Sequence, residues 1–179
     1  MVGKTLAPVA ATLALVAALA GPASARVERS GHAVRTNTVL ASQVLTDLNR
    51  LRRSHGLRAL RFSPRLTAAA TQHSEEMARL GYFSHDSANG AAFWRRLERY
   101  YGSSGRRYWS VGENLLWSSP DVDAAGALKM WMGSPEHRAN LLKGEWREIG
   151  LSAVHVASAP GSFKGLEVTI VTADFGVRR

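Results

Sequence analysis

The chain has 179 residues, 45% hydrophobic and 21% charged, which suits one domain with its own core and is tight for two. It contains no cysteine, and this excludes a disulfide scaffold, a thiolate nucleophile and a Cys-ligated zinc or iron–sulfur centre. Lys and Arg number 23 against 14 for Asp and Glu, a formal charge of +9, and only four of the bases are Lys. A surface built of guanidinium groups favours phosphate, carboxylate or an anionic polymer beside it, without choosing among them.

The first 25 residues read as an export signal. Lys4 gives a short positive start, Leu6 to Ala20 runs without a charge, and Gly21-Pro22 breaks the helix before the small-x-small pattern Ala23-Ser24-Ala25. The apolar run is short for a membrane span, and no stop-transfer segment follows it. An uncleaved N-terminal anchor is the competing reading; without a Cys after the run, a lipoprotein is not. Cleavage would leave a mature chain beginning near Arg26, outside the cytoplasm. There the anionic partner becomes a cell-wall polymer or a lipid headgroup rather than nucleic acid.

Arg26 to Asn37 is polar and aperiodic and reads as a flexible arm. From Thr38 the apolar spacing turns helical, with Leu40, Val44, Leu48 and Leu51 on one stripe and His55-Gly56 at its end. Ser63-Pro64 caps a second helix carrying Leu66, Ala70, His73, Met77 and Leu80, which Gly81 stops. A shorter helix fits Ala91 to Tyr101. Ser119-Pro120 repeats the cap signal ahead of a fourth helix ending at Gly133, and Ser134-Pro135 opens a fifth through Leu142.

Strands come late. Tyr108 to Trp117 reads as one, with Val111, Glu113, Leu115 and Trp117 on a shared face. Ile149 to Ala157 and Leu166 to Phe175 read as an antiparallel hairpin around the turn residues 158–162. The pattern predicts an α+β fold with helices stacked on a small, mostly antiparallel sheet. It divides the chain into a signal peptide over 1–25, an arm over 26–37 and one domain over 38–179.

No phosphate-binding loop, nucleophile elbow, His-Glu-x-x-His or Ser-x-x-Lys motif is present. Aromatic residues are 8% and form no ladder, so a stacking platform for single-stranded nucleic acid is unsupported. The pairs Arg52-Arg53, Arg95-Arg96 and Arg106-Arg107 read as solvated surface.

Three segments hold polar residues among apolar or turn-forming neighbours: Tyr82 to Asp86 with His85, Val111 to Leu115 with Glu113, and Trp131 to Asn140 with His137. Two imidazoles and a carboxylate can hold zinc and leave a position open for water. Each residue also has a local role open to it. His85 could be a turn histidine bonded to backbone, Glu113 an acid buried against Arg138 or an amide, and His137 a capping histidine packed on Trp131. His73 lies on the apolar stripe of its helix and reads as a satisfied core histidine; His32, His55 and His155 stay unassigned.

The order of these segments resembles the CAP superfamily, the cysteine-rich secretory protein, antigen 5 and pathogenesis-related 1 group also called the SCP domain, in its bacterial Cys-free secreted form. The resemblance runs from about Val39 to Phe175. It rests on Leu48 to Arg52 with His55-Gly56-Leu57, Met77-Ala78, Phe83-Ser84-His85, Gly112 to Leu115, Trp131-Met132, Ser134-Pro135 with His137 to Leu142, Glu148-Ile149-Gly150 and Asp174-Phe175-Gly176. It implies an α-β-α sandwich and a cleft of two His and two acids. His85 and His137 would be the histidines and Glu113 the first acid. A second acid is missing after Trp131, and Glu136 sits on a different part of the turn, which puts a two-carboxylate scheme in doubt. A metal site needing only His85 and His137, with Glu113 assisting, survives that loss.

The leading expectation is therefore a secreted binding module with a cation-capable cleft, for which zinc is a candidate ion and no cofactor is required. Lipid or an anionic cell-wall polymer is its expected partner. A zinc-dependent hydrolase with Glu113 as general base, and an envelope protein held by its arginines alone, are the alternatives.

Overall fold

The structure, a computed structural model, describes residues 33–179; the signal reading over 1–25 and the first part of the arm, 26–32, lie outside the described residues. In chain order the elements are β1 (Arg35–Thr36), α1 (Thr38–Ser54), β2 (Arg61–Phe62), α2 (Pro64–Leu80), α3 (Phe93–Tyr100), β3 (Trp109–Ser118), α4 (Ala124–Gly133), α5 (Pro135–Leu141), β4 (Glu148–Val156) and β5 (Val168–Arg178). Ser63 and Ser134 accept the N–H groups of Leu66 and His137, so both Ser-Pro pairs open helices as their chemistry predicts. Ser119-Pro120 does not. The next helix starts four residues later, because Asp123 supplies the capping oxygen to Gly126 N–H.

The sheet runs β1-β4-β5-β3, with β2 also on β4. All pairings are antiparallel except β2 with β4. Arg35 and Thr36, read as part of a flexible arm, are a correction: they pair with His155 and Val154, and Asn37 N–H donates to Ala153 O at 2.8 Å. Two-residue strands carry no alternation to read, so β1 and β2 were beyond a periodicity argument.

Side chains alternate across the sheet and split the core in two. Leu116, Leu151, Ala153, Val171 and Phe175 pack on α1, α4 and α5 around Leu48, Trp131 and Leu141. Leu115, Val154, Val168 and Ile170 pack with Met77 of α2 and Phe163 on the other face. There Leu66 of α2 meets Leu97 of α3 and Tyr101. The result is an α-β-α sandwich. On the α2 side the helix lies directly on the strand backbone: a Cβ on Gly150 would come within 2.1 Å of Leu66 and Thr67 main-chain atoms.

Two arginines read as surface are instead fully buried. Arg52 donates to the carbonyls of Arg58, Leu141 and Lys143, tying the end of α1 to the end of α5; Arg96 serves the site described next. Among the described residues no helix is long and apolar enough to cross a membrane.

Candidate functional site

The site forms at the free edge of β3. It is fed on one side by the turn after α2 and on the other by α5. Helix α2 must stop at Gly81, whose φ is +73°. A Cβ there would meet the Pro160 backbone at 2.6 Å, so only glycine lets the chain turn against that loop. The turned segment carries Ser84 and His85 back over the sheet. His73, on the buried stripe of α2, holds it: the ring Nε2 lies 2.8 Å from Ser84 O, which can only accept, so Nε2 carries the proton. Burial, followed by the charge on Arg96, keeps the His73 ring neutral and its pKa low against the upward pull of Glu113.

Glu113 points from β3 into the α2–α3 side, and its side chain is buried. One oxygen accepts from His85 Nδ1 at 2.8 Å; the other takes the Arg96 guanidinium of α3. The same guanidinium donates to His85 O at 3.2 Å and Ser87 Oγ at 3.3 Å, so one side chain fixes both the acid and the loop. Burial alone would raise the Glu113 pKa. The His85 hydrogen bond and the positive charge of Arg96 outweigh it and hold the carboxyl below its ordinary range. The expectation of Arg138 as the buried partner of Glu113 is thus corrected to Arg96, which reaches the acid from a neighbouring helix.

Asp174 stands directly across the strand pair from Glu113. It is fully buried and neither oxygen has a hydrogen-bond partner. Burial and then the charge of Glu113 push its pKa well above the ordinary carboxylate value. Glu136 stays exposed at the start of α5, 3.1 Å from Ser134 Oγ.

On the other flank, α5 is tied to the edge strand by amides. Asn114 Nδ2 donates to His137 O at 3.0 Å, and Asn140 Nδ2 donates to Asn114 Oδ1 at 2.9 Å. Trp146 Nε1 in turn donates to Asn140 Oδ1 at 3.0 Å. His137 has a lowered pKa, from burial first and then from the proximity of His85, so it is neutral near pH 7.

His85 is half exposed, with Nδ1 committed to Glu113. In its neutral form Nδ1 carries the proton, which leaves the Nε2 lone pair for a ligand or a proton. Among the described residues no three His, Asp or Glu side chains are grouped so as to hold a metal ion. Of the residues the sequence singled out, the structure joins His85 to Glu113, sets His137 on the other flank of β3 and buries His73 in the core. Sequence reasoning missed Arg96 and Asp174; the only signal for the latter was an acid inside an otherwise apolar strand.

The fold is thus an α-β-α sandwich with a His–carboxylate pair, His85 and Glu113, at one sheet edge. The chain belongs to the cysteine-rich secretory protein (CAP) family, whose model matches residues 45–175. An extracellular SCP-domain protein of Bacillus anthracis is 27% identical, with a TM-score of 0.60 over 79% of this chain and 41% of that one. An outer surface protein of Borrelia burgdorferi shares the fold at 16% identity, TM-score 0.63, over 82% of this chain and all of that one. A Bacillus subtilis protein described as the uncharacterized membrane protein YlbC is 30% identical over 117 residues, 65% of this chain and 32% of its own length. The uncharacterized protein YkwD of the same species is 27% identical over 110 residues, 62% of this chain and 40% of its own. The chain therefore spans well under half the length of these two relatives.

Proposed function

We propose that the chain is an extracellular CAP binding module, exported by its first 25 residues, whose cleft takes a cation between His85 and His137. The observation that carries this reading is the 2.8 Å bond from His85 Nδ1 to Glu113, whose other oxygen is occupied by Arg96. A carboxylate that orients one imidazole nitrogen raises the basicity of the other and turns it outward as a ligand. Glu113 assists in this way, behind the ligand, and both its oxygens are already engaged. That arrangement disfavours the hydrolase reading, in which Glu113 would have to take a proton from water. Bound zinc or copper would supply a positive centre with coordination positions left for an outside ligand, since the protein offers two imidazoles.

Isothermal titration of the purified protein with zinc and with copper tests the proposal. One saturable ion per chain is expected, lost when His85 and His137 are both replaced by Ala, with the fold retained by circular dichroism. Equal binding by parent and double variant would refute it.

The second expected partner, an anionic wall polymer, has support beside the cleft. Trp94 is exposed, the Arg95 guanidinium lies 5.3 Å from its ring centroid, and Arg99 lines the same shallow groove. Such a contact weakens steeply with salt, so release from cell envelopes across a salt gradient measures it.

A further inference from the structure

The opposite edge of the sheet carries a second site. Strand β1 covers β4 at Val154 and His155, and β2 covers it at Glu148 and Ile149. Between them, among the described residues, the outer edge of β4 is open. Ala153 O accepts from Asn37 N–H and Ile149 O from Ser63 N–H, both at 2.8 Å, so the outward-facing groups of β4 belong to 149, 151 and 153. By that alternation the N–H and C=O of Leu151 also face outward, with no strand opposite them.

A groove of about 470 Å³ lies over this gap, walled by Ala41 and Leu45 of α1, Thr67 of α2 and Phe62 at the rim. Its walls are largely apolar, and no charged residue lines it. Yet two of its lining residues carry buried hydroxyls, Ser152 Oγ and Thr67 Oγ1, that have no hydrogen-bond partner among the described residues. Ser152 is 2% exposed. Buried hydroxyls without partners are costly and uncommon.

We infer that this groove binds a small uncharged molecule bearing one amide on an apolar body, the amide meeting the Ser152 and Thr67 hydroxyls and the free Leu151 edge. An amide offers a donor and an acceptor together, which is what an unpaired strand residue and two hydroxyls require. A carboxylate, phosphate or ammonium would be desolvated beside no opposite charge, so ions are rejected. An extended peptide cannot thread the gap, because β1 and β2 close both of its ends; the ligand enters between α1 and α2, past Phe62. The site shares no residue with the His85 cleft and does not depend on a cation there.

The test is an amide-proton NMR titration of the purified protein with hexanamide, against hexanoate and hexylammonium. Saturable shifts confined to Thr67, Thr71, Leu151 and Ser152 are expected for hexanamide, with each ion at least about tenfold weaker. Ser152→Ala and Thr67→Val should each weaken hexanamide about threefold to tenfold, one hydrogen bond's worth, and should not lower the melting temperature, because each removes a buried hydroxyl that has no partner in the fold. Ala41→Trp should fill the groove and abolish binding; if that variant does not fold, the Ser152→Ala, Thr67→Val double variant takes its place. Non-saturating shifts, equal binding of hexanoate, or unaltered affinity in the double variant would each overturn the proposal, the groove then holding water only.

Discussion

Replacing Arg96 by Met tests the electrostatic account of the cleft at its centre. The change keeps an apolar stem of similar length on α3 and removes three hydrogen bonds, to Glu113, His85 O and Ser87 Oγ. Glu113 would then be a buried carboxylate with His85 as its remaining close partner. Removing one member of a buried pair typically costs about 3–5 kcal/mol, because the other charge stays uncompensated. That is a large part of the roughly 5–15 kcal/mol that holds a domain together. For a domain of this size it corresponds to a fall of about 10–15 °C in Tm. The assay is urea and thermal unfolding at pH 7 of the parent, Arg96→Met, Glu113→Gln and the double variant. The double variant should recover most of the loss, since it removes the stranded charge as well. A single variant within about 1 kcal/mol of the parent would refute the buried-pair reasoning, leaving Arg96 with no more weight than a surface ion pair.

Asp174→Asn should stabilise the protein, and increasingly so as pH rises. A carboxyl whose folded pKa lies above its unfolded value contributes its stability below the unfolded pKa and loses it as pH climbs through the folded one. Unfolding of parent and variant at pH 5 and pH 8 checks this; a constant difference would contradict it. Leu48→Ala and Ile170→Ala, at two fully buried positions on opposite faces of the sheet, should each cost about 2–5 kcal/mol in the same unfolding assay. Gly150→Ala should lower Tm sharply, because the added methyl meets helix backbone that cannot swing aside; a soluble variant with the parent Tm would disprove the close packing of α2. N-terminal sequencing of secreted material should return Arg26.

The legible parts of this chain are those with a local cause. Apolar stripes at helical spacing placed α1 and α2, and a serine before a proline placed the starts of α2 and α5. An acid between Val111 and Leu115 on a strand face pointed inward, and Glu113 does. What sequence could not show depends on partners distant in the chain. Arg95 and Arg96 are adjacent and chemically identical; Arg95 stacks on Trp94 at the surface while Arg96 is buried. The difference is the helical turn of α3, which aims one of them at an acid from β3. Arg52 is buried for a similar reason, its carbonyl acceptors at Leu141 and Lys143 lying at the distant C-terminal end of α5. The structure also parts His85 and His137 between two flanks of one edge strand, a relation that motif order alone does not contain.

The strand order has a consequence for how the molecule comes into being. β5 is the latest element in the chain, and it lies between β4 and β3 in the sheet. Without it, β3 has no strand to pair with, and neither face of the sandwich can close. A chain delivered vectorially from its N-terminus, whether by a ribosome or through a membrane pore, therefore stays open until residues 168–178 arrive.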